Sequence, residues 1–468
     1  MRPAPRLRLA LLLLAVLPLR AGAAADAPDD EARKAKVTLA KAAEAAERRA
    51  LDEKVNAAID KGVAWLKARQ KSTGAFPAYG DKLPANSYNP MDLGVNALAM
   101  LTLAKCGVPA DEKAMERAKT WCLGDYAKMK GLKKVLVYPA SVLLLAFEAM
   151  YHPEAKDEGG AARGRYGATV TRKKTPCKYP AAIDALVDEL ARSLSKQQVA
   201  KVGGWRYPGV EAGAPPGDAE MSNTQYALLG LNAAARCGAS VPVEVWTRAM
   251  AYVLADQDKD GLDGDLWLEN DGWEPGADEV PRWRGAGKRR ARGWRYTPDG
   301  PQTLTTGSMT TAGIVSLAIV KERLSEAGKL TPDAARKVDA AMLDGLVWLA
   351  EVFTVEHNPT FPAGGAPWHL YYLYGLERVG GLTGFANVGK HLWYPEGAAF
   401  LLGAQQADGH WEGQKGTMNL TDEHESPLVQ TCFALLFLKR STTPPLVPVT
   451  PQVTTGDDVA PPVDGRDR

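Results

Sequence analysis

Cysteine is scarce in this 468-residue chain: Cys106, Cys122, Cys177, Cys237 and Cys432 lie far apart, with no C-x-x-C pair. That spacing excludes a zinc ribbon and a thioredoxin-like redox motif. An excess of one charge is also lacking. The 57 Lys+Arg face 55 Asp+Glu, a formal net charge of +2, so there is no electrostatic footprint for nucleic acid. No apolar run reaches the roughly 20 residues that a membrane-spanning helix needs. G-x-S-x-G, H-E-x-x-H, P-loop and dinucleotide fingerprints are all missing, so hydrolase and nucleotide chemistry lose their usual support and no cofactor is expected. Phe, at 8, is outnumbered by 12 Trp and 15 Tyr, residues that suit places where an apolar body ends in a hydrogen-bonding group.

What is present begins with a processing signal. Arg2, Arg6 and Arg8 precede the apolar run from Leu9 to Leu19, and Ala21 to Ala25 offers a small-residue cleavage site before Asp26. Residues 1–25 therefore read as a signal peptide and the protein as secreted or periplasmic, with no stable membrane span after processing. Its removal takes the formal charge from +2 to −2. A composition of 46% hydrophobic and 24% charged residues is enough to build a large core.

Internal repetition carries the fold. Gly62, Ala249 and Gly397 are each followed by an aromatic residue three positions on (Trp65, Tyr252, Phe400). Gln follows at eight (Gln70, Gln257, Gln405) and Gly at twelve (Gly74, Gly261, Gly409). Weaker copies begin at Ala118, near Ala191 and at Gly345. Each copy pairs an amphipathic helix with a second helix that is apolar nearly all round, starting near Pro90, Pro139, Ser222, Ser308, Pro367 and Pro427. Cys237 and Cys432 fall in such apolar runs and read as small buried hydrophobes. Six buried helices alternating with six amphipathic ones over residues 56–440 can bury everything by closing into a ring. The expected class is all-α, an α/α toroid with six inner and six outer helices. A charged leading helix over 26–55 precedes it, and a disordered Pro- and Thr-rich tail over 441–468 follows. Two insertions interrupt the repeats, 156–179 and 271–292; the second is rich in Arg and reads as a solvated loop.

The Gln…Gly…Trp turns, such as Gln405-Gln-Ala-Asp-Gly-His-Trp411 and Gly203-Gly-Trp205, resemble those of the terpenoid cyclase and protein prenyltransferase superfamily. The likeness is strongest to exported bacterial proteins of prenyltransferase and squalene oxidase repeats, which have no assigned activity. It is carried by Ser222 to Leu231, Ser308 to Gly313 and Trp368 to Gly380. The resemblance implies the toroid fold. The same resemblance places the cyclase Asp-x-Asp-Asp at Glu220 to Asn223, where Ser222 and Asn223 cannot supply the acid. It also places the prenyltransferase zinc ligands at Gln430 and around Ala366 and Trp368, none of which fits.

The expected function is thus an exported toroid that binds a largely apolar or amphiphilic small ligand, isoprenoids included, in its central cavity. Two alternatives stand beside it: a glycan-active enzyme using rim carboxylates, and a protein-interaction scaffold. Acids that precede inner helices, with Glu220, Asp422 and His424 as the catalytic candidates, would gather at one mouth of a ring. They would also stabilise helix N-termini there. The paired segments Gly204-Trp-Arg-Tyr207 and Gly293-Trp-Arg-Tyr296 put Arg206, Tyr207, Arg295 and Tyr296 at that rim. His369 and Tyr372 are the candidates inside the barrel. Asp256, Asp258 and Asp260, with Gly261 sixth, resemble the start of a calcium loop, but position twelve is Trp267 and Gln257 and Gly261 already belong to the repeat turn.

Overall fold

The computed structural model describes residues 27–77, 89–131, 136–151, 179–207, 219–297, 304–413, 426–442, 445 and 449–453. Outer and inner helices alternate along the chain: α1 (Ala27–Arg69), α2 (Met91–Lys105), α3 (Lys113–Gly131), α4 (Val137–Tyr151), α5 (Ala181–Gln197) and α6 (Met221–Arg236). They continue as α7 (Val243–Ala255), α8 (Gly307–Glu326), α9 (Pro332–Glu351), α10 (His369–Thr383), α11 (Trp393–Ala404) and α12 (Pro427–Leu438). The even-numbered helices form the inner barrel. Each packs on the next, and α12 returns to α2, which closes the ring. The chain folds as an α/α toroid.

The inner helices have no polar face to offer water: α8 is buried from Gly307 to Leu324. Close approach is needed for this, and at Gly230 a Cβ would stand 2.7 Å from the Cα of Ser141 on α4. Thr306 caps α8 by accepting from the Met309 N–H, and Thr331 caps α9 ahead of Pro332.

The repeat residues tie one outer helix to the next. The Gln198 side-chain amide donates to the Gly203 carbonyl at 2.7 Å and to Val245 of α7 at 2.9 Å. Gln70 reaches Ala114 of α3, Gln257 reaches Ala341 of α9, and Gln405 reaches back to Ala58 of α1, each at 2.9 Å. The last of these fastens the two ends of the ring. Gly203 has φ +92°, and any Cβ there would meet the Arg248 carbonyl at 2.3 Å, which explains a glycine at this point of the turn. The turn tryptophans are fully buried: the indole N–H groups of Trp205, Trp294 and Trp411 donate to the carbonyls of Leu194, Val253 and Leu401, each at 2.8 Å.

Several expectations change. The leading helix is not separate: it runs unbroken into the first outer helix as the 43-residue α1. The Arg-rich insertion is an ordered antiparallel hairpin, β1 (Leu262–Glu269) with β2 (Trp283–Ala291), because its cations find carboxylates. Arg289 and Arg292 grip Asp344 of α9 at 2.9 and 2.6 Å, and Lys288 pairs with Asp265 at 2.9 Å. The hairpin tip holds α1 through Arg33–Glu279, Lys36–Asp278 and Lys41–Glu274. A smaller sheet of β3 (Thr305–Thr306), β4 (Asn358–Phe361) and β5 (Gly364–Ala366) lies before α10. Cys237, at the C-cap of α6, is buried as expected and is also disulfide-bonded. Cys106, Cys122 and Cys432 are free.

Part of the C-terminal segment is docked. Val449 is buried, Lys321 points its ammonium at the carbonyls of Val449 and Thr450, and the Gln452 N–H reaches Asp339. Nearer the barrel, Glu377 accepts from the Thr442 N–H at 3.0 Å and hydroxyl at 2.7 Å.

Candidate ligand site on the toroid axis

Contacts between helices that are not neighbours in the ring identify what lies on its axis. α6 and α10 are separated by α8, yet Tyr226 and Tyr371 face each other with ring centroids 6.1 Å apart. The Tyr371 hydroxyl also donates to the Gln225 side-chain oxygen across the same gap. These side chains therefore meet inside the barrel. Around them stand Tyr138 of α4, 4.6 Å from Tyr226, and Phe433 of α12, 5.7 Å from Tyr371. Below lie Tyr374 and Arg378, whose guanidinium carbon is 3.8 Å from the Tyr374 centroid and 5.4 Å from that of Tyr226.

Tyr371, Tyr374 and Arg378 stand at i, i+3 and i+7 of α10, which is one helical stripe. Burial pushes the Tyr226 phenol up to about 12 and that of Tyr371 well above its ordinary value, so these hydroxyls stay protonated at neutral pH. The axis is aromatic and polar.

The rim residues separate into three groups. Tyr207 stacks on Tyr138 at 5.6 Å, and Tyr296 offers its carbonyl to the Met221 N–H at 3.0 Å, so both stand at the N-terminal end of α6 beside Glu220. Arg206 follows the buried Trp205 and is half-buried. Arg295 turns aside to Asp258 at 2.9 Å, without the alignment of a hydrogen bond. His369 and Tyr372 fall on the other face of α10. His369 Nε2–H donates to the Val355 carbonyl at 2.9 Å with its ring against Phe400, and the Tyr372 hydroxyl donates to Thr354 at 3.1 Å. Burial lowers the His369 pKa to about 4, which keeps the ring neutral at physiological pH. Neither side chain joins the axial tyrosines.

Glu220 caps α6. Its carboxylate accepts the backbone N–H of Ser222 at 2.8 Å and of Asn223 at 2.7 Å, together with the Ser222 hydroxyl and the Asn223 amide. Burial pushes its pKa up, against the pull of those four donors. With two bonds on each oxygen, the group has no acceptor capacity left for a substrate proton. Asp422 and His424 lie outside the described residues. The calcium candidates do not converge: Asp258 is held by Arg295 and the Thr305 hydroxyl, Asp260 is exposed, and no cluster of three metal-binding side chains occurs among the described residues.

Two amide atoms on the axis have no hydrogen-bond partner among the described residues: Asn223 Oδ1 and Gln225 Nε2, both fully buried. Burial of an unpaired amide costs on the order of 1–3 kcal/mol, so each is either a strain or a place kept for a ligand.

No protein-family model matches the chain, and no curated protein matches it. Among solved structures it is similar to a variant of the type II terpene cyclase MstE from Scytonema in complex with geranylgeranyl dihydroxybenzoate. The identity is 12%, over 84% of this chain and 99% of that one, with a TM-score of 0.47. It is also similar to an inactive variant of an alpha-1,6-mannanase of Salegentibacter in complex with alpha-1,6-mannotriose. There the identity is 13%, over 82% of this chain and 99% of that one, with a TM-score of 0.45. Likeness at this level concerns the course of the chain and transfers neither activity.

Proposed function

We propose that this chain is an exported binding protein that holds a small amphiphilic organic ligand along the toroid axis, without cyclase or prenyltransferase chemistry. The observation that carries the reading is the pair of unsatisfied amide atoms, Asn223 Oδ1 and Gln225 Nε2, set among the phenol rings of Tyr138, Tyr226 and Tyr371. Such a lining packs a flat or apolar body and fixes its polar groups by a few directed bonds. A turnover role has less support, because Glu220 is fully committed as a cap. The disulfide at Cys237 suits an oxidising compartment and supports the export expected from residues 1–25.

The test uses 4-hydroxycinnamamide as a neutral, flat probe with a hydrogen-bonding group at each end. Calorimetric titration of the full chain should show one site per molecule. Tyr226→Leu, which removes the central stacking face, should weaken that site about tenfold or more. Equal binding by both proteins contradicts an axial location.

A further inference from the structure

One of the buried polar groups on the axis is a cation. Arg378 is 2% exposed; it contacts the rings of Tyr374 and Tyr226 and hydrogen-bonds to these side chains, and among the described residues it forms no ion pair with a carboxylate. The neighbouring Glu377 is turned to Thr442, and Glu220 is saturated by Ser222 and Asn223. Among the described residues Arg378 Nη1 has no hydrogen-bond partner. A guanidinium buried in this way loses its hydration; the rings and hydroxyls of Tyr226 and Tyr374 replace part of it, and Nη1 is left over.

A second donor accompanies it. The oxygen of Gln225 is occupied by the Tyr371 hydroxyl, which fixes the amide and leaves its Nε2 unpaired on the same axis. The Tyr226 ring contacts both Arg378 and Tyr371, the partner of Gln225, so the two free donors, from α6 and α10, flank one tyrosine on the axis and border one recess beside it.

We propose that this recess binds a carboxylate, and that the axial ligand is therefore a monoanion whose carboxylate accepts from Arg378 Nη1 and Gln225 Nε2. The inference rests on the axial-ligand reading above. Two donors match the two oxygens of a carboxylate, and one guanidinium balances a single negative charge. A phosphate dianion would leave a net charge buried in the recess. The aromatic walls receive the body of the ligand, and Asn223 Oδ1, nearer the N-terminal end of α6, accepts from a hydroxyl or amine at its other end.

The experiment compares 4-hydroxycinnamate with 4-hydroxycinnamamide on the full chain at neutral pH. Wild type should bind the acid about tenfold or more tightly than the amide, as expected of a charge-assisted bond in a buried site. In Arg378→Met the preference should vanish while the unliganded thermal midpoint stays equal or rises, because an unpaired buried charge has been removed. Arg378→Lys, which keeps the charge and loses the fork, should retain part of the preference and decides the question if the Met variant fails to fold. Equal affinity for acid and amide in wild type overturns the carboxylate assignment and leaves the axial reading standing. Binding of neither compound overturns both, and an unchanged preference in folded Arg378→Met places the carboxylate elsewhere.

Discussion

Replacing Trp205 with alanine should lower the free energy of unfolding by roughly 3–5 kcal/mol, the range for deleting a fully buried large aromatic side chain. Trp205 has no exposed surface, and its indole N–H satisfies the Leu194 carbonyl at the end of α5. Its own backbone N–H donates to Thr224 Oγ1 of α6 at 2.9 Å, so the turn, the outer helix and the inner helix meet at this one residue. The loss therefore combines a cavity with an orphaned carbonyl. Arg206→Ala, one position on, should shift stability by less than about 0.5 kcal/mol. Guanidinium chloride unfolding distinguishes the two. A Trp205→Ala chain within 1 kcal/mol of wild type would show that the repeat tryptophan is dispensable to the ring.

Glu377→Gln should remove a pH dependence of stability. Burial raises the Glu377 pKa from 4.5 to about 7, although the Thr442 N–H and hydroxyl and the charges of Arg378 and Lys105 pull it down. The folded chain thus keeps this proton up to about pH 7, whereas the unfolded chain releases it near 4.5. Its contribution is fully present below pH 4.5 and is lost as pH rises through 7, a decline on the order of 3 kcal/mol. Gln cannot ionise, and its oxygen can still accept the Thr442 N–H. The variant should match wild type near pH 4.5 and exceed it by up to that amount at pH 8. Parallel profiles of unfolding free energy against pH would show that Glu377 ionises without penalty.

The ring was legible in the sequence because its devices are local and repeated. Gln at one turn, Gly four or five residues on and Phe or Trp two further state the same construction three times, and the structure uses each Gln as the same strap. The starts of the inner helices were equally plain, since Pro and Ser open runs that have no polar face. After Pro28, α1 contains no further proline and one glycine, Gly62, so nothing divides the leading segment from the first outer helix. The hairpin was obscured by its arginines: Asp344, the partner of Arg289 and Arg292, is brought near only by the folded chain.

The axial site was far less legible. Tyr138, Tyr226 and Tyr371 come from three helices and nothing local links them. Within α10 the sequence offers two polar stripes, His369 with Tyr372 and Tyr371 with Tyr374 and Arg378. Neighbouring residues on a helix point about 100° apart, so choosing the inward stripe requires knowing where α6 lies. Arg378, the one Lys or Arg in α10, was the one available signal. Glu220 misled in the opposite sense: a carboxylate followed by Ser222 and Asn223 is a cap as readily as an acid, and four donors decide for the cap.

The claim that the toroid is a receptacle for a small ligand on its axis is tested most directly by a crystal structure of the full chain grown with 4-hydroxycinnamate. Density for the compound should lie inside the inner barrel, packed on Tyr226 and Tyr371, with its carboxylate beside Arg378 and Gln225. A barrel whose axis is closed by its own tyrosines, with the compound absent or bound only on the outer helices, would contradict the account.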